Sequence, residues 1–130
     1  MSPVKRVFSG TPYEARIGYC RAVLAGGFVH VAGTTGADLE TGDMPDDVVA
    51  QCRNALDRIG SALAEVGARF EDAVRVRYIL PNPDDFEPCW PLLRERFGDN
   101  PPVATMIVSG LLDPSMKIEI ELMVLAPPDA

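Results

Sequence analysis

The sequence has little of what several common functions require. It carries one histidine, one tryptophan and three cysteines in 130 residues, and aromatics make up 7% of the chain. The three cysteines, Cys20, Cys52 and Cys89, show no CxxC or CxxH spacing. That argues against a disulfide frame or a zinc site and suits a reducing cytosol. No basic cluster is longer than Lys5-Arg6, and the formal net charge is −7. A nucleic-acid-binding surface normally leaves a basic footprint, so that class is disfavoured. The longest apolar stretch is too short and too charged to span a bilayer, and no apolar signal core follows the N-terminus. The GxGxxG and GxxxxGK[ST] phosphate loops are missing, and Gly33-Thr34-Thr35-Gly36 imitates them only superficially. The acidic Asp38–Asp47 loop lacks EF-hand spacing. No nucleophilic triad is visible, and the one histidine, mid-strand His30, reads as structural. No metal or cofactor is expected, and the expected location is the cytoplasm.

What is present is patterning. Hydrophobic residues make up 47% and charged residues 24%, ordinary for one globular domain spanning residues 1–130. Lys117–Leu125 alternates cleanly, with Ile118, Ile120, Leu122 and Val124 on one face and Lys117, Glu119 and Glu121 on the other. Val48, Cys52, Leu56, Ile59, Leu63 and Val66 form a helical stripe over about Pro45–Val66. Pro45 is placed in its first turn, Asp46 and Asp47 at its positive end, and Gly67 just past its end. Val4–Phe8, Arg21–Ala25, Phe28–Thr34 and Ala73–Leu80 read as strands, with Gly26-Gly27 as a tight hairpin turn. In the third run Phe28, His30 and Ala32 are expected on one face and Val29, Val31 and Gly33 on the other. Tyr13–Cys20 shows no period and is assigned as linker. Asp84 and Glu87 suggest a capping box for a second helix carrying Phe86, Trp90, Leu93 and Phe97, which Pro88 and Pro91 confine to its end. The order is β, ββ, α, β, α, ββ.

Glu119 and Glu121 are the chemical question. Two carboxylates at i and i+2 either pair with Arg75, Arg77 or Lys117 across the sheet, or one faces a pocket and moves protons.

The GYCRAV run, the VAGTTG turn, Gln51…Asn54-Ala55-Leu56, Asp85-Phe86, and above all PPVATM with KIEIE resemble the YjgF/RidA family. The resemblance spans nearly the whole chain. It implies an α+β, chorismate mutase-like fold with a mixed six-stranded sheet covered on one face by two helices. It further implies a homotrimer with small-molecule pockets between subunits. Archetypal members hydrolyse reactive imines or enamines, releasing ammonia. By the same resemblance Glu119 matches the family's glutamate and Tyr19 its pocket tyrosine, both catalytic. Thr105 and the Met106 backbone line the substrate side, with Glu121 structural. The archetype's carboxylate-gripping arginine corresponds to Ala104, which places the chain with Arg-less branches. Trp90 stands where a smaller polar residue is common, making the pocket more apolar. Losing a bidentate clamp costs about tenfold to a few hundredfold in kcat/KM for an amino-acid-derived imine. Arg21, Arg75 and Arg77 are candidate replacements. A non-catalytic ligand- or partner-binding role is the alternative. Tyr78, Trp90 and the Met/Leu end of the last strand leave apolar surface that favours association.

Overall fold

The computed structural model describes residues 4–128. Six strands form one mixed sheet in the order β1-β2-β3-β6-β4-β5. They are β1 (Lys5–Val7), β2 (Ala22–Ala25), β3 (Phe28–Thr35), β4 (Ala73–Leu80), β5 (Val103–Val108) and β6 (Glu119–Leu125). Among the described residues only the β4–β5 pair is parallel, and the other four ladders are antiparallel. The last strand therefore sits at the centre, bonded to β3 and β4. Its alternation explains why. Ile118, Ile120, Leu122 and Val124 are all buried, and each contributes about 1.5–3 kcal/mol on full burial.

Helix α2 (Val48–Glu65) covers that aliphatic face with Cys52, Ala55, Leu56, Ile59, Ala62 and Leu63. The expected stripe is buried as far as Leu63, while Val66 is partly buried. The helix starts later than Pro45 suggested. Asp47 is the N-cap, its carboxylate accepting from Ala50 N at 3.0 Å, and Pro45 lies outside. Gly67 follows the helix with φ +71°, the left-handed conformation expected of it. Gly26 and Gly27, φ 64° and 86°, make the tight β2–β3 turn.

Four expectations are corrected. The stretch assigned as linker contains a short helix, α1 (Pro12–Ile17), closed by Gly18 at φ 97°. Six residues are too few to show a period, but a first-turn proline and a left-handed glycine suffice to bound them. The Asp84/Glu87 capping box does not form. Asn82 accepts from Asp84 N at 3.0 Å, and two short 3₁₀ turns precede α3 (Trp90–Phe97). A register shift in β3 between Val31 and Thr34 breaks the alternation there, so Gly33 abandons the face of Val29 and Val31. Tyr78 is buried beneath Phe86, ring centroids 5.1 Å apart, and offers no surface for association.

Gly36 marks where the end of β3 meets α2. A Cβ there would overlap the backbone of Gln51, and Asn54 Nδ2 donates to the Gly36 carbonyl at 3.0 Å. Gly36→Ala is expected to cost at least about 1–3 kcal/mol, read as a lower midpoint in thermal unfolding.

Candidate functional site

Glu119 opens β6 opposite Thr35 of β3 and Ile79 of β4. Because Ile118 and Ile120 face α2, Glu119 projects from the sheet's uncovered face. It fits closely against β3 because Gly33 has no side chain, and a Cβ there would collide with Glu119 Oε1. Burial pushes the Glu119 carboxyl above the ordinary range and the charge of Glu121 adds to this, while Arg21 draws it back. Among the described residues no cation lies within ion-pair distance of Glu119, whereas Glu121 pairs with Arg77 at 3.2 Å. That exposed pair stabilises by about 0–1 kcal/mol. The two carboxylates are thus unlike: one is salt-bridged at the surface, the other is half-buried without a cation.

Tyr19 is brought in by the turn after α1, where its N–H donates to the Glu14 carbonyl at 3.0 Å. The Arg21 guanidinium lies 5.6 Å from the centre of its ring. Arg21 in turn donates through Nη1 to the Gly33 carbonyl at 2.8 Å and to Thr34 Oγ1 at 3.1 Å. Arg21 thus lies against Tyr19 and holds the carbonyl of Gly33, the residue against which Glu119 packs. Glu14 holds the other end of Arg21 at 3.7 Å. Burial raises the Glu14 carboxyl, but hydrogen bonds from Ser9 and Thr11 outweigh it and leave the group below its usual range.

The β5 residues divide between the faces of the sheet. The parallel register sets Ala104 beside Val76, Thr105 beside Arg77 and Met106 beside Tyr78. Those β4 residues pair on their other side with Leu122, Glu121 and Ile120. Thr105 therefore shares the open face with Glu121 and Glu119, while Ala104 and Met106 face the helical side. There Ala104 lines a groove of about 310 Å³ with Tyr78, Phe86, Trp90, Arg94 and Phe97. Trp90 is 44% exposed and meets Phe86 edge-on at 6.1 Å.

The residues expected to make one pocket thus form two groups. Glu119 and Thr105 share the open face, and Tyr19 stands apart from both groups, against Arg21. Ala104 and Trp90 converge in the groove, and Met106 faces that side. The sheet separates the groups, since a strand's side chains alternate across it. Arg94 was not anticipated from sequence, although its spacing of four from Trp90 puts both on one side of α3. Gly33 was also missed as a site residue, because no periodicity shows that a bulge will turn it toward Glu119. Of the proposed replacement cations, Arg21 is buried and Arg75 and Arg77 line the open face, so none of them lines the groove of Ala104. His30 lies exposed on that same open face. Among the described residues no three His, Cys, Asp or Glu side chains gather as a metal ion would need, and no helix is long and apolar enough to cross a membrane.

Comparison with known proteins covers nearly the whole chain. A family model described as Endoribonuclease L-PSP matches residues 10–126. A crystal structure from Mycobacterium tuberculosis, described as a member of the highly conserved YjgF/YER057c/UK114 family, superposes with a TM-score of 0.86 at 35% identity. That likeness covers 95% of this chain and 100% of the other. An uncharacterized protein of Streptomyces coelicolor is 34% identical over 122 residues, 92% of this chain and 90% of its own. The 2-iminobutanoate/2-iminopropanoate deaminase of Capra hircus is 28% identical over 129 residues, 98% of this chain and 94% of its own.

Proposed function

Since the chain belongs to the YjgF/RidA family, whose family model is described as Endoribonuclease L-PSP, we propose that it hydrolyses a small reactive imine or enamine and releases ammonia. The observation that carries this reading is the Glu119 carboxyl, half-buried, raised in pKa and, among the described residues, without a cation within ion-pair distance. Such a group keeps its proton to higher pH than an exposed glutamate does. Protonated Glu119 gives its proton to the imine nitrogen, which makes the adjacent carbon electrophilic. Water attacks that carbon, its protons pass through the carboxylate, and the C–N bond breaks to leave a ketone and ammonia. Tyr19 acts as a hydroxyl donor beside the reacting group, and Thr105 and the Met106 backbone orient water or substrate.

The division of the site between two faces supports a pocket shared by neighbouring subunits of a homotrimer. Glu119 from one chain and the Ala104–Trp90 groove of another are more easily joined than the two surfaces of one sheet. The β5 edge supplies an apolar surface for such contact, with Val103 59%, Met106 42% and Val108 53% exposed in the single chain. Light scattering at micromolar concentration is expected to give three times the chain mass, and a monomer would contradict the shared pocket.

Arg94 is the cation at the groove where Ala104 lacks one. Ala104→Arg is expected to raise kcat/KM for freshly generated 2-iminobutyrate about tenfold or more, since a charge-assisted hydrogen bond is worth roughly 1.5–3 kcal/mol. Equal turnover by wild type and variant would show that the position does not limit the reaction.

Binding without turnover is the second reading, favoured by the exposed indole of Trp90 in an apolar groove. Ribonuclease activity, which the family description names, fits less well with a net charge of −7 and a single histidine.

A further inference from the structure

Beneath β1, on the side of the sheet covered by α2, two arginines are buried together. Arg21 is 3% exposed and Arg58, on the inner side of α2, is 9% exposed. Arg58 Nη1 donates to the Thr35 carbonyl at 2.8 Å. Among the described residues no carboxylate lies within ion-pair distance of Arg58. Arg21 has Glu14 at 3.7 Å, but that carboxylate already accepts from Ser9 N–H, the Ser9 hydroxyl and the Thr11 hydroxyl. Among the described residues Arg21 Nε is buried with no hydrogen-bond partner.

Both arginines line a cavity of about 240 Å³, whose wall also includes Phe8, Ser9, Leu39 and Ser61. Glu65 stands exposed at its rim, and its backbone carbonyl accepts from Lys5 Nζ at 3.2 Å. Two buried positive charges share one buried negative one. Burial and the repulsion of Arg21 together lower the pKa of Arg58. A fold carries an uncompensated buried charge only at substantial cost, and a buried donor without an acceptor adds to it. An anion in the cavity would relieve both. Guanidinium groups are suited to this because their planar N–H forks match the geometry of carboxylate and phosphate oxygens.

We propose that the cavity between β1 and α2 is a binding site for a small oxyanion, gripped by Arg21 and Arg58 and flanked by Ser61. Its lining includes neither Glu119, Tyr19 nor any residue of the Ala104 groove. It therefore stands whether or not the chain hydrolyses imines. Arg21 nonetheless connects the two regions, since it also holds the Gly33 carbonyl, and Gly33 bears on Glu119. A bound anion would weaken the pull of Arg21 on the Glu119 carboxylate.

The test is isothermal titration of the intact protein with inorganic phosphate and, separately, acetate, at ionic strength held constant with sodium chloride. Wild type is compared with Ser61→Glu, which sets a carboxylate at the mouth from an exposed helical position, and with Arg58→Gln. Saturable one-site binding in wild type, at least tenfold weaker in both variants, is the expected result. Preference for phosphate identifies a phosphate-type ligand, and preference for acetate a carboxylate. Absence of saturable binding to either anion overturns the proposal, as does unchanged affinity in Ser61→Glu. If Arg58→Gln fails to fold, the Ser61 variant decides alone.

Discussion

Glu119→Gln is expected to reduce ammonia release from 2-iminobutyrate by about a hundredfold or more, the usual contribution of a positioned acid–base group. The side chain keeps its shape, so its fit over Gly33 is retained. The same substitution is expected to leave the thermal midpoint unchanged or higher at neutral pH. Burial raises the folded-state pKa of Glu119 above its ordinary value of 4.5, with the charge of Glu121 second. Between the unfolded and folded pKa values the folded chain binds more protons, so stability falls as pH rises through that window. Above the folded pKa the penalty of holding the ionised carboxylate is complete, and below the unfolded pKa it is absent. Glutamine removes the penalty, so its advantage should appear at neutral pH and vanish in acid. Paired activity and melting curves across pH check both halves. Undiminished turnover would exclude Glu119 as the proton carrier. Unchanged ligand affinity, with no Glu119-dependent turnover of any imine, would favour the binding module.

Gln51→Leu is expected to destabilise the fold by about 2–4 kcal/mol, with a fall of roughly 10 °C in the melting midpoint. Gln51 is fully buried on α2 and satisfies three backbone groups, one just before the helix and two in the distant segment before β6. Its Nε2 donates to the Pro45 carbonyl at 2.7 Å and the Ser115 carbonyl at 2.9 Å, while Oε1 accepts from Lys117 N at 2.8 Å. Leucine leaves all three without that partner, and each buried group left unsatisfied costs about 1–3 kcal/mol. The effect should extend to activity, because Lys117 is two residues before Glu119 and sets where β6 begins. If the melting point is retained while activity is lost, Gln51 serves only to position β6. A loss of both in proportion to unfolding assigns it to the fold.

Much of the architecture was legible because it is periodic. The alternation of Ile118, Ile120, Leu122 and Val124 identifies a strand with one buried face, and the Val48-to-Leu63 stripe identifies its cover. The Gly26-Gly27 turn was legible for a local reason, since both residues need positive φ. Helix α1 was not, because six residues complete too few turns to reveal a face. The Asp84/Glu87 reading failed because a capping box needs a helix starting at that point, and Pro88 allows only 3₁₀ turns there.

The site was legible as residues and not as an arrangement. PPVATM and KIEIE are close in sequence and invite one picture, yet β5 pairs with β4 and leaves β4 between itself and β6. That insertion, with the register it fixes, sends Ala104 and Glu119 to opposite faces. Gly33 reaches Glu119 only through a bulge. The absence of an arginine at Ala104, the aliphatic face of β6 and the pair of carboxylates beside it are properties of the sequence alone. Which carboxylate is salt-bridged, which arginine lines the groove and which two share a single buried carboxylate were decided by tertiary structure. The physical reason is one of range. Alternation and helical period are set by backbone geometry within a few residues, whereas burial and charge pairing depend on segments that meet only after the sheet has closed.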